Sequence, residues 1–108
     1  MSRQQQLLKK QELTVSQILR VYGKQFRQIT RWYSDERDGR CAIGVLMSYF
    51  GWDGRDDYNA VSGLFAVLGQ LKYAGIDEDL LINLNDSGYT FDQIAYYLDE
   101  HYESPNLK

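Results

Sequence analysis

One proline, one histidine and one cysteine are found among 108 residues. A lone Cys41 cannot close an intrachain disulfide, and Cys41 with His101 alone cannot supply the four ligands of a closed zinc site. No positively charged leader followed by an apolar run and a small-residue cleavage site is present, so the expectation is a reducing, cytoplasmic setting. No apolar run approaches the roughly 20 residues of a membrane span. A glycine-rich phosphate loop is also missing, and two calcium-loop look-alikes fail at the position that needs a bidentate glutamate. The loop starting at Asn83 reaches Ile94 there, and the one starting at Ser34 reaches Val45. The expectation is therefore a protein without metal, cofactor or membrane span.

What is present is an uncharged stretch, C-A-I-G-V-L-M-S-Y-F-G-W, from Cys41 to Trp52. A segment that is apolar on every side suits a buried helix, because a surface helix needs a polar face. The flanking segments show one apolar stripe each. The fold expected is all-α, a compact single-domain bundle of four to five helices around a central buried helix from Cys41 to Gly51. Residues 13–103 form that domain, between a flexible N-terminal segment (1–12) and a loose C-terminal tail (104–108). The length fits a single domain with a modest core.

In chain order, T-V-S-Q at Thr14 and T-F-D-Q at Thr90 are capping-box patterns that start helices. After Thr14, the apolar positions Val15, Ile18, Leu19, Tyr22, Phe26, Ile29 and Tyr33 keep helical spacing, which predicts one long amphipathic helix. Arg20, Lys24, Arg27 and Arg31 would then form a basic stripe on its outer side. Gly23 lies within it and suggests close packing or a bend. Asp38 is the expected cap of the central helix, Gly51 and Gly54 its end, and Asp56 or Asp57 the cap of a third helix reaching about Tyr73. Tyr58, Val61, Phe65 and Leu68 share its expected inner face, with Leu64 and Leu71 beside it, and Gly44, one turn into the central helix, would let a neighbouring helix come close. Gly75-Ile76 reads as a glycine C-cap with its hydrophobic partner. Asp77 to Asn85 reads as a short helix with acids at its positive end, although its apolar run is short enough for a strand. Asn85 to Gly88 is turn chemistry, a last helix carries Phe91, Ile94, Ala95, Leu98 and Tyr102 inward, and Pro105 ends it.

Charge divides the chain. Residues 1–31 hold seven bases against one acid, net +6, and residues 32–108 hold five against fourteen, net −9. Such asymmetry points to a binding surface or to attraction between the halves, within one molecule or between copies. Cys41 is the weak candidate for catalysis, since a thiol at a helix N-terminus beside Arg40 can be activated, with Asp86 or His101 assisting. Paired carboxylates such as Asp56 with Asp57 and Asp77 with Asp79 read more simply as helix caps.

R-C-A-I-G-V-L (Arg40 to Leu46), preceded by Arg31-Trp32, and L-N-D-S-G-Y-T-F-D-Q-I-A-Y-Y-L (Leu84 to Leu98) together resemble a set of small uncharacterised bacterial and phage proteins. Those share a Cys-Ala-hydrophobic-Gly helix start and an Asn-Asp turn before a Thr-capped helix. The resemblance covers about half the chain and implies that Cys41, Asn85, Asp86 and Thr90 meet as one structural or binding unit. The function expected is a small non-enzymatic protein-interaction module, phage-related or self-associating, with a protein partner or a second copy bound. Its candidate binding residues are Arg20, Lys24, Arg27, Arg31, Trp32, Trp52, Asn85 and Asp86, with Trp32, Trp52 and Tyr96 as exposed aromatic anchors. The alternative is a cysteine-dependent enzyme using Cys41. The third reading, nucleic-acid binding through the basic first helix, is opposed by the acidic remainder.

Overall fold

A computed structural model describes residues 13–55 and 58–102. The expectations for residues 1–12, for Asp56 and Asp57 and for residues 103–108 lie outside these. Among the described residues five α-helices dominate: α1 (Val15–Tyr22), α2 (Ala42–Tyr49), α3 (Tyr58–Ala74), α4 (Glu78–Asp86) and α5 (Phe91–His101). A 3-10 turn (Gly23–Gln25) follows α1, and two short parallel strands, β1 (Arg27–Gln28) and β2 (Gly39–Arg40), precede α2. The fold is mainly helical, as expected.

α2 is the centre. Ala42, Ile43, Val45, Leu46 and Met47 are fully buried and Tyr49 nearly so. α1 packs on α2 and on α5, while α2 also meets α3 and α4. The hydrophobic gain from enclosing the larger α2 side chains is on the order of 10 kcal/mol, an upper figure because the unfolded chain already hides some of that surface. Tyr49 meets Tyr22 edge-on at 4.9 Å between ring centroids.

Helix ends follow local chemistry. Both capping boxes form: Thr14 Oγ1 accepts from the Gln17 amide and Gln17 Oε1 from the Thr14 amide, with the same exchange at Thr90 and Gln93. Asp77 caps α4 through the Asp79 amide. Three helices stop at a left-handed glycine, Gly51, Gly75 and Gly88. In each the next amide reaches back to close the end: Trp52 to Met47, Ile76 to Leu71, Tyr89 to Leu84.

Four expectations need correction. The first helix stops at Tyr22 instead of running to Tyr33. Gly23 sits where a Cβ would come within 2.8 Å of Phe91, and from Phe26 the backbone is extended into β1. The cap of α2 is Cys41, whose Sγ accepts from the Gly44 amide at 3.4 Å, because β2 carries Asp38 away to the β1 side, where its carbonyl accepts from Arg27. Asn85 and Asp86 belong to the last turn of α4, not to the turn beyond it. Finally, α3 is turned round: Gly63, Val67 and Leu71 face the core, while Tyr58, Val61 and Phe65 are exposed. That helix is apolar on both sides, with Lys72 its only charge, so spacing alone cannot choose the inner face. Gly63 lets the inner face come close to α2, where a Cβ added to it would stand 3.3 Å from Trp52 and 3.5 Å from Met47.

Candidate functional site

The connection from β1 to β2 is held by a hub built on Asn85, one of the residues expected to form a single unit with Cys41. Asn85, 1% exposed, accepts through Oδ1 from Gln28 Nε2 at 2.8 Å and from the Ala42 amide at 3.1 Å, while its Nδ2 donates to the Ile29 carbonyl at 2.8 Å. Gln28 continues the chain of bonds, donating to the Tyr89 carbonyl and accepting from the Phe91 amide at 3.0 Å. One amide pair thus joins β1, the start of α2, the end of α4 and the start of α5.

A second hub anchors the loop itself. Arg40 is 4% exposed, and its guanidinium donates to the hydroxyls of Ser48 and Ser34 and to the carbonyls of Arg37, Gly39 and Asp53. Phe26 lies 4.6 Å beneath it and Trp52 5.6 Å away. Burial lowers its pKa, an effect opposed by Asp35, Asp53 and Asp38. The fork of donors suits this work, since each carbonyl needs a partner once it is removed from water. Gly44 completes the seat: a Cβ there would overlap the Tyr33 carbonyl oxygen.

These hubs fix the walls of an open cleft of about 300 Å³. Ala42, Ile43, Leu81 and Ile82 give it an apolar floor, and Arg31, Trp32, Tyr33, Cys41, Asn85 and Asp86 complete its lining. Trp32 is 71% exposed. Arg31 is held with φ of 75°, the left-handed region that a non-glycine residue rarely adopts, and its amide approaches Asp86 Oδ1 at 3.4 Å. Cys41 sits in the wall with 7% exposure. Burial, more than any other influence, pushes its thiol up, and Asp86 adds to this; the amides of Gly44 and Ile43 oppose it. A raised thiol holds less thiolate at neutral pH, the reverse of activation. Arg40 points into its own hub, where its donors face hydroxyls and carbonyls.

The other sequence candidates fall elsewhere. His101 stacks on Tyr97 at 4.3 Å between centroids and lines a separate cleft with Tyr96 and Glu100. Trp52 is buried, not exposed, with its indole N–H donating to the Arg55 carbonyl at 2.8 Å. The four bases do not form one helical stripe, because α1 ends before three of them. Arg20 pairs with Asp99 at 2.6 Å, Lys24 is in the 3-10 turn, Arg27 on β1 pairs with Asp35 and Asp38, and Arg31 stands at the cleft. Cys41, Asn85 and Asp86 do come together, whereas Thr90 caps α5. Of the two hub residues missed, Arg40 had a signal, a base abutting an uncharged run; Gln28 had none.

Among the described residues, no group of three or more His, Cys, Asp or Glu is placed to hold a metal ion, and no helix is long and apolar enough to cross a membrane. Comparison with known protein families, with curated proteins and with solved structures finds no match in any of the three.

Proposed function

We propose that this protein is a non-enzymatic protein-interaction module that receives an apolar or aromatic side chain of a partner protein in the Trp32 cleft. The observation that carries this reading is the pairing of an apolar floor, half-buried Ile82 over the buried Ile43 and Leu81, with a rim bearing an exposed tryptophan and both charge signs, Arg31 and Asp86. A desolvated pocket beside an aromatic anchor, ringed by polar groups, is the usual composition of an interface hot spot. The two hubs support it by holding the walls rigid before a partner arrives, which lowers the entropic cost of binding. The cysteine-dependent alternative has less behind it, given a capped, buried thiol pushed up in pKa. Nucleic-acid binding lacks, among the described residues, the continuous basic face it needs. A phage-related, cytoplasmic setting is part of the proposal and rests on the resemblance and the single cysteine.

Selection from a random peptide library on the purified protein tests the reading. Expected are peptides sharing an apolar or aromatic position, with affinity falling about tenfold or more, the loss typical of an anchor, on Trp32→Ala or Ile82→Arg. Peptides indifferent to both substitutions would refute it. Alkylation of Cys41 is expected to be slow in the folded protein and fast only on unfolding; rapid reaction at neutral pH would return the enzyme reading to the front.

A further inference from the structure

The outer face of α3 is unlike the rest of the surface. Along it Tyr58 is 82%, Val61 54%, Phe65 69% and Tyr73 94% exposed, with Leu68 half-buried beside them. Positions 58, 61, 65 and 68 alternate steps of three and four, the spacing of a seam that packs against another helix. α3 contains no acid, and Lys72, in its last turn, is its only base.

We propose that this face is the self-association surface of the protein, with the α3 helices of two copies packed antiparallel across a two-fold axis near Phe65. Three arguments select a second copy. Tyr58 and Phe65, aromatics that can each bury about 150–250 Å², together with Val61 and Leu68 leave of order 500 Å² exposed per copy. Two copies therefore enclose roughly 1,000 Å², the lower bound of a specific interface. A second copy also presents an equally uncharged face, so no acid is stripped of water without compensation. Charge then sets the direction. Lys72 lies in the last turn of α3. Antiparallel packing keeps the two Lys72 side chains at opposite ends of the seam, whereas parallel packing would set Lys72 against Lys72. A two-fold pairing of one patch with itself closes at the dimer.

This inference is independent of the Trp32 cleft, whose lining includes no residue of α3. Sedimentation velocity of the full chain from about 1 μM to about 1 mM, the range in which an interface of the smallest size class dissociates, tests it. Expected is a concentration-dependent rise from monomer to dimer mass. Phe65→Lys and, separately, Val61→Arg should weaken the dimer at least tenfold with unchanged circular dichroism, while Tyr96→Lys leaves it intact. A monomer throughout, or a dimer indifferent to both α3 substitutions, would overturn the proposal. So would a monomer that Phe65→Lys destabilises: it would assign the face to a segment of the same chain outside the described residues, Leu13 being held to α3 by the bond from Gln70 to its carbonyl.

Discussion

At the scale of single residues, Arg40 shows how a charge can be buried without a partner of opposite sign at hydrogen-bonding distance. Its donors satisfy three carbonyls of the loop, Arg37, Gly39 and Asp53, so the side chain replaces the water those carbonyls would need. Arg40→Met should therefore cost about 3–5 kcal/mol, the range for removing one member of a buried polar network. Arg40→Lys keeps the charge but not the fork, and should still cost about 2 kcal/mol or more. Urea unfolding measures both. A lysine variant as stable as the parent would mean that only positive charge matters at this position.

The elements show where a sequence speaks and where it does not. Both Thr-Gln capping boxes, the Asp77 cap and the glycine ends at Gly51 and Gly75 were legible, because each is a short-range bond between residues a few positions apart. The end of α1 was not, since Phe26, Ile29 and Tyr33 keep helical spacing while belonging to an extended segment and a loop. What decides their conformation is the β1–β2 pairing and the bonds from Gln28 to residues nearly sixty positions away. The inner face of α3 differs from expectation for a related reason: two apolar faces compete, and tertiary packing buries the one that carries Gly63, Val67 and Leu71. In the candidate site, Cys41, Asn85 and Asp86 were legible as a group, while the apolar floor and the Arg40 hub depended on tertiary placement. Gly44 belongs to this scale too. Gly44→Ala should cost about 2–3 kcal/mol, as expected for overpacking against a backbone atom, and should open the Trp32 cleft by displacing the loop at Tyr33. Thermal melts measure the first and the solvent response of Trp32 fluorescence the second; a neutral substitution would show that the loop yields freely.

For the whole molecule, the packing of α1 against α2 makes stability sensitive to base. Burial first, and then the neighbouring Tyr22, push the Tyr49 hydroxyl from its ordinary 10.0 up to about 12. The unfolded chain gives up this proton first. Its contribution is therefore complete below pH 10, shrinks as pH rises, and is gone once pH passes the folded value of about 12. A displacement of this size corresponds to about 2–3 kcal/mol. Urea midpoints should fall over that window, and Tyr49→Phe should flatten the fall; equal slopes in the two proteins would mean that Tyr49 ionises freely in the fold.

The bond from the Ala42 amide to Asn85 also bears on how the chain is made. During synthesis the apolar stretch from Cys41 to Trp52 emerges long before residue 85, so the first amide of α2 has no Asn85 to receive it and α4 and α5 are not yet there to enclose it. Folding thus waits for the synthesis of residue 85 and the helices around it, and a chain stalled before Asn85 displays its greasiest segment to the cell, which makes it a natural client for chaperones and proteases.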